Sequence, residues 1–488
     1  MACPPSVICA EGCASILSYL NQLSSPKKEK QQIHIRKLSR QEAFNFTSRE
    51  NVATNKRKRP LRNSQDVSVL LQAKMTPKGS KAKKRATTVT YDTPKTEKRK
   101  EIEEIPEIEQ NFTLLLPVKG YVIHPIAAKV RESDMCLQYP ERYSNFYEEN
   151  ILSVEHYDYI GKDPKLGNVA VSIVKEPTDD YHIALVVTKK RNTIYRIPVD
   201  DVPVSRFAVR KSRSLIRALR THEETLYRAN LQVINRSAVS TMLCDLEAKL
   251  LVSEYKFGFV NLQEGQVREE EIYSNTSQSD ELIEFQNFLG TKVNLKGFEG
   301  YAGGLRKTYS EDEEGWETIH TIFEGHEIVF HCANLLPYSE FNEQQLERKR
   351  FIGNDIVVII FKESSTPFDV SVMTSEFNHI FLIIQPIKSE DGETEYKVEC
   401  IQKKGVAESL PAIPITTFKK DEFFRNWIFY KLINLERAGY EAPNFIRKIE
   451  RTRQALLDDT IEQIRKLLDY RMSYGSPVLM STLNLFKP

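Results

Sequence analysis

Short apolar runs, some alternating with polar residues and some unbroken, recur along most of the chain after residue 168. "VAVSIV" (169–174), "HIALVV" (182–187) and "TIYRIPV" (193–199) are rich in β-branched residues and are separated by turn-like pieces. That pattern predicts a β-meander. A helical stretch over roughly 205–220 completes one α/β unit at about 113–235. A second series supplies "YKFGFVNL" (255–262), "ETIHTIF" (317–323), "EIVFHCA" (327–333), "DIVVIIF" (355–361), "HIFLIIQ" (379–385) and "YKVECIQ" (396–402). Helical pieces at about 279–289, 342–352 and 420–438 interleave with these strands, which predicts a mixed sheet covered on its faces. "IVVIIF" and "IFLIIQ" hardly alternate, as strands buried on both faces do not. Further on, Ile446, Ile449, Leu456, Ile461, Ile464 and Leu468 form one apolar stripe along a long helix over 441–472. The expected fold class is therefore α/β with mixed sheets, in two domains at 113–235 and 236–440. The final helix is expected to pack back toward the first domain.

Charge divides the chain differently. Of its 69 Lys+Arg and 67 Asp+Glu, residues 1–100 hold 22 and 7, leaving 47 and 60 for the remainder. A basic segment thus precedes an acidic body. Residues 1–108 carry few large apolar groups and are expected to be a disordered basic tail, since little surface is available to offset ordering entropy. Its clusters "KRKRP" (56–60) and "KAKKR" (81–85) suit an import receptor, weak contact with anionic membrane or weak RNA contact, or simply a solvated tail. No motif for sequence-specific nucleic-acid binding accompanies them. The N-terminus is a poor secretory signal, with Glu11 inside its apolar part. Seven scattered cysteines without CxxC fit free thiols in a reducing compartment, hence a cytoplasmic protein, membrane-associated or partly nuclear if the tail directs it.

Signatures of self-contained catalysis are missing: the chain has no GxxxxGK[ST], no GxSxG and no HExxH. "GFEGYAGG" (297–304) reads as a loop. His320, His326 and His331 lie on or beside strands, where histidines more often serve structure than catalysis. No metal site and no cofactor site is expected.

The stretch with the most chemical interest is "RKRFIGNDIVVIIF" (348–361). "FNEQQLERKRFIG" (341–353) predicts a helix with Asn342 as N-cap and Gly353 as a left-handed C-cap. At about 100° per residue, Arg348, Lys349 and Arg350 fan over about 200° and cannot share one partner. If the last turn runs through Gly353, Arg350 and Asn354 share a face. The glycine would let another backbone come close. Asn354 would then stand exposed at the mouth of a rigid central strand. The plainer reading is turn chemistry at a helix end with a solvated basic triplet.

"QQLERKRFIGNDIVVIIFKESSTPF" (344–368) closely resembles the central motif of the Rap/Ran-GAP domain family, Rap-directed branch. "YKFGFVNLQEGQVREEEIYSN" (255–275), "EFQNFLGTKVNLKGFEGYAGGL" (284–305), "EIVFHCANLLPYS" (327–339), "FNHIFLIIQ" (377–385) and "IERTRQALLDD" (449–459) match the family in order. "YSNFYEENILSVEHYDYIGKDPKLGNVAVSIV" (143–174) resembles the dimerisation domain that precedes it. The resemblance implies an activator of GTP hydrolysis on a Rap-type small GTPase, acting as a homodimer. Members supply an asparagine carboxamide in trans, the asparagine thumb, which falls on Asn354. GTP and magnesium belong to the partner. By the same resemblance Lys256, Arg348, Lys349, Arg350, Phe351 and Arg451 contact the GTPase, while Gly353 and Asp355 support the thumb. Phe351 departs from the histidine usual in the family. That departure leaves open a GTPase of the Rheb or Ral type, or a scaffold that binds without stimulating hydrolysis.

Overall fold

The computed structural model describes residues 114–139, 143–176, 180–202, 208–234 and 236–473. The expected tail, with its basic clusters and three of the cysteines, lies outside them.

Eight α-helices occur among the described residues: α1 (Phe146–Asn150), α2 (Ala208–His222), α3 (Ser237–Leu250), α4 (Glu269–Tyr273), α5 (Asp280–Leu289), α6 (Leu346–Ile352), α7 (Glu422–Tyr440) and α8 (Pro443–Ser473). The predicted meander is an antiparallel five-stranded sheet in the order Asn192–Pro198, Tyr181–Val187, Gly167–Lys175, His156–Asp163, Gln232–Ile234. Its two faces carry separate cores. Leu215, Ile216 and Leu219 of α2 cover one face. Val239, Leu243, Leu246 and Leu250 of α3 cover the other, together with Leu457, Ile461 and Ile464 of α8. The later part of the stripe read from the last helix, Leu456, Ile461, Ile464 and Leu468, therefore docks on the first sheet, while Ile449 packs against the core of the larger one.

The larger sheet has nine strands. Its four inner strands run parallel in the order Ile380–Lys388, Val357–Lys362, Glu254–Leu262, His326–Cys332. All of Val357–Lys362 is buried, as its unbroken apolar run predicts. Phe257, Phe259, Val357, Ile359 and Phe361 meet α5 and α7 on one face. Val260, Leu262, Val358 and Ile360 meet Ile352 of α6 on the other.

Two boundaries differ from the sequence reading. Tyr121–Ile123 pairs antiparallel with Thr394–Lys403 at the edge of the larger sheet, so the start of the expected 113–235 unit belongs to the second sheet. Conversely, α3 lies after the expected boundary at 236 yet buries its apolar face in the first sheet's core. A strand at a sheet edge and a short amphipathic helix carry no local mark of which core they join.

Candidate functional site

The site is built where α6 ends and the central strand begins. Helix α6 starts at Leu346, four residues later than the expected cap at Asn342. The residue before it, Gln345, takes a left-handed backbone (φ 45°), and its buried side chain binds the backbone oxygens of Ser339 and Asn342 at 2.7 and 2.8 Å. These bonds close the preceding turn and delay the helix.

At the other end the expected left-handed cap is absent. Gly353 is right-handed, at φ −65° and ψ −12°, so the helical turn continues into Asn354. The glycine is needed for space instead: a Cβ there would collide with the Lys349 carbonyl oxygen. Asn354 is exposed. Its Nδ2 donates to the Arg350 carbonyl oxygen at 2.6 Å, one of the orphan acceptors at a helix C-terminus. A carbonyl can only accept, so this contact assigns nitrogen and oxygen of the amide, and Oδ1 is the atom left free.

Asp355 points the opposite way. It is buried, with Oδ2 at 2.8 Å from His331 Nδ1 and Oδ1 at 3.4 Å from Lys256 Nζ. Room for this carboxylate comes from Gly258, which pairs with Val358 on one side and His331 on the other. A Cβ at Gly258 would lie 2.9 Å from Ile352 Cγ2 and 3.3 Å from Asp355 Oδ2. A fourth ionisable group, Glu436 of α7, is buried nearby. Desolvation pushes its carboxyl up to about 8, with Asp355 adding to the rise and Tyr440 and Lys256 opposing it.

The turn is tied down from other directions as well. Asn378 Nδ2 donates to the carbonyl oxygens of Ile352 and Asp355 at 2.9 and 2.6 Å, and Ser375 Oγ donates to that of Gly353. Buried Glu269 accepts from Lys349 Nζ at 2.6 Å and from Thr374 N and Oγ1 at 3.0 and 2.7 Å.

The basic triplet splits as its helical spacing requires. Arg350 remains 68% exposed beside Glu347. Lys349 is partly exposed and turned to Glu269. Arg348 corrects the sequence reading: it is 2% exposed and cannot meet a partner. Its guanidinium donates to the carbonyl oxygens of Leu336, Pro337, Tyr273 and Asn275, joining α6 to α4 and to the segment after His326–Cys332. Burial lowers its pKa to about 10. Lys256 is corrected likewise: at 9% exposed it faces Asp355 rather than a partner. Phe351 is half-buried, its ring edge-on to Trp316 and His331 at 5.8 Å each. Arg451 is exposed on α8, off the buried stripe.

His331, Gly258, Asn378 and Glu269 were not identified as site residues from sequence. Parallel register and close backbone approach bring His331 and Gly258 to the turn, and long-range side-chain hydrogen bonds bring Asn378 and Glu269; neither leaves a spacing signal. Among the described residues, no group of three or more His, Cys, Asp or Glu could hold a metal, and no helix is long and apolar enough to cross a membrane.

Residues 272–454, which include α6, Asn354 and the start of α8, match the Rap/ran-GAP family profile. GTPase-activating Rap/Ran-GAP domain-like protein 3 of Gallus gallus is 31% identical over 365 residues, covering 70% of this chain and 37% of its own. Signal-induced proliferation-associated 1-like protein 3 of Homo sapiens is 33% identical over 335 residues, 65% of this chain and 18% of its own. A PH and Rap-GAP domain-containing protein of Dictyostelium discoideum is 32% identical over 312 residues, 62% of this chain and 26% of its own. The chain thus spans between 18% and 37% of the length of these relatives. With the family profile matched over residues 272–454 and the aligned relatives extending beyond it, this chain carries a Rap/Ran-GAP domain.

Proposed function

We propose that this chain stimulates GTP hydrolysis on a Rap-type small GTPase by inserting the Asn354 carboxamide into the partner's nucleotide site. The observation that carries this reading is the state of the amide. The residue is exposed, its amide nitrogen is engaged by the Arg350 carbonyl oxygen, and its oxygen is left as an acceptor with no partner among the described residues. Phosphoryl transfer by small GTPases needs a positioned water and charge stabilisation rather than covalent help. An amide oxygen can take a hydrogen bond from the attacking water and aim it at the γ-phosphate. GTP and magnesium are then held by the partner. Lys349, Arg350, Phe351 and Arg451 lie at or near the surface and supply contacts to the GTPase. We further propose that the five-stranded domain mediates a homodimer, which sedimentation at several concentrations would test.

One observation favours a second reading. Phe351 packs inward on Trp316 and His331, and a scaffold that binds a GTPase without stimulating it would tolerate that. Single-turnover hydrolysis on purified, GTP-loaded Rap, Rheb and Ral proteins, with and without this chain, separates the possibilities. Faster hydrolysis on Rap alone supports the proposal. Stimulation confined to Rheb or Ral reassigns the partner, and binding with no stimulation of any leaves the scaffold.

A further inference from the structure

His331 touches Asp355, directly after Asn354, and Phe351, three residues before it. Its Nδ1 lies 2.8 Å from Asp355 Oδ2, and its ring centroid is 5.8 Å from that of Phe351, edge-on. Its other nitrogen, Nε2, lies 3.1 Å from the Gly303 carbonyl oxygen. The side chain is wholly buried, so no solvent substitutes for any of these contacts. We propose that His331 is a positioning residue for Asn354, holding the turn 351–355 in one orientation through Asp355 and Phe351. This rests on the GTPase-activating reading above.

The argument is geometric. A residue's side-chain direction follows its backbone, and the backbone of Asn354 is fixed by what its neighbours hold. Asp355 is buried directly after it, with its carboxylate shared between His331 and Lys256. Lys256 reaches it at 3.4 Å as a flexible ammonium. The imidazole reaches it at hydrogen-bond distance from a rigid strand, opposite Gly258 in register. Of the two partners His331 is therefore the stiffer. Rigid support of this kind matters because a misplacement of about 1 Å at a reacting centre can cost about a hundredfold in rate.

The two ring nitrogens serve different elements, so two substitutions separate their roles. In His331→Asn the amide nitrogen replaces Nδ1 and keeps the bond to Asp355 while the Gly303 bond is lost. In His331→Gln the longer side chain reaches toward Gly303 and the Asp355 bond is lost. The test is single-turnover GTP hydrolysis on the stimulated GTPase, titrated with each variant, alongside amide hydrogen exchange over residues 351–357 of the free chain. We expect His331→Gln to lower the rate at saturation by at least about tenfold, with an unchanged half-saturation concentration and faster exchange over the turn. His331→Asn should stay near wild type in both readouts.

Wild-type behaviour in His331→Gln, or equal losses in both variants that track thermal stability, would overturn the proposal. Should His331→Gln not fold, His331→Asn alone decides: a retained rate and protected turn support the proposal, and their loss defeats it. If wild type stimulates no GTPase, the functional reading fails, and the exchange measurement still decides whether His331 holds the turn.

Discussion

Asn354 Nδ2 donates to the carbonyl oxygen of Arg350 at 2.6 Å, one helical turn back. The same side chain thus ends a helix and presents a free acceptor. The capping bond uses the donor half of the amide and leaves the acceptor half without a partner among the described residues. Helix-end chemistry and the proposed reactivity are two halves of one group rather than competing explanations.

Asn354→Ala is expected to abolish stimulated hydrolysis while preserving the fold. It removes the free oxygen and one bond at an exposed helix end, so the stability loss should be about 1 kcal/mol. Single-turnover hydrolysis with Rap, paired with urea unfolding, checks both. Undiminished stimulation by the mutant would end the proposed role of the amide.

The two arginines of the basic triplet should behave oppositely. Arg348→Ala leaves buried carbonyl oxygens without donors and is expected to cost about 3–5 kcal/mol. Arg350→Ala, at an exposed position, should change stability by less than about 0.5 kcal/mol and instead raise the half-saturation concentration for the GTPase. Denaturant unfolding of both variants and titration with the second provide the measurement. Similar stability losses would contradict the assigned environments.

Phe351→His is expected to change affinity more than the hydrolysis rate of the complex. The phenyl ring's edge contacts with Trp316 and His331 would be weakened, at about 1 kcal/mol of stability. A titration of the variant against Rap·GTP reads the affinity. An unshifted half-saturation point would show that position 351 does not set it.

Stability should depend on pH through Glu436. Its folded carboxyl is raised to about 8, against about 4.3 in an unfolded chain. The folded state therefore keeps a proton that the unfolded state has lost. Its stabilising contribution is complete at low pH and erodes as pH rises between these values, at up to roughly 1.4 kcal/mol per pH unit. Glu436→Gln has no such proton, so it should gain stability relative to wild type from pH 5 to pH 8. Urea unfolding at several pH values would show this, and a constant difference across the range would exclude it.

Strand and helix identities were legible because burial imposes periods that any short window reveals. The unbroken run of Val357–Phe361 announced a strand covered on both faces, and the stripe of the last helix announced a docked face. Asn354 was legible through motif resemblance, and its exposure agrees with that reading. What each neighbour does was not. Arg348 and Arg350 are indistinguishable in a local sequence, yet one is enclosed by carbonyl groups and the other faces solvent. His331 reads as an ordinary strand histidine until a parallel register sets it beside Gly258 and a missing side chain there admits Asp355. Tyr121–Ile123 and α3 joined the opposite cores from those expected. Periodicity is set by residues a few positions apart and survives in sequence alone. Partners brought together across 24 residues for His331 and Asp355, or 182 for Arg437 and Tyr255, are chosen by strand order and close packing, which only the folded chain contains.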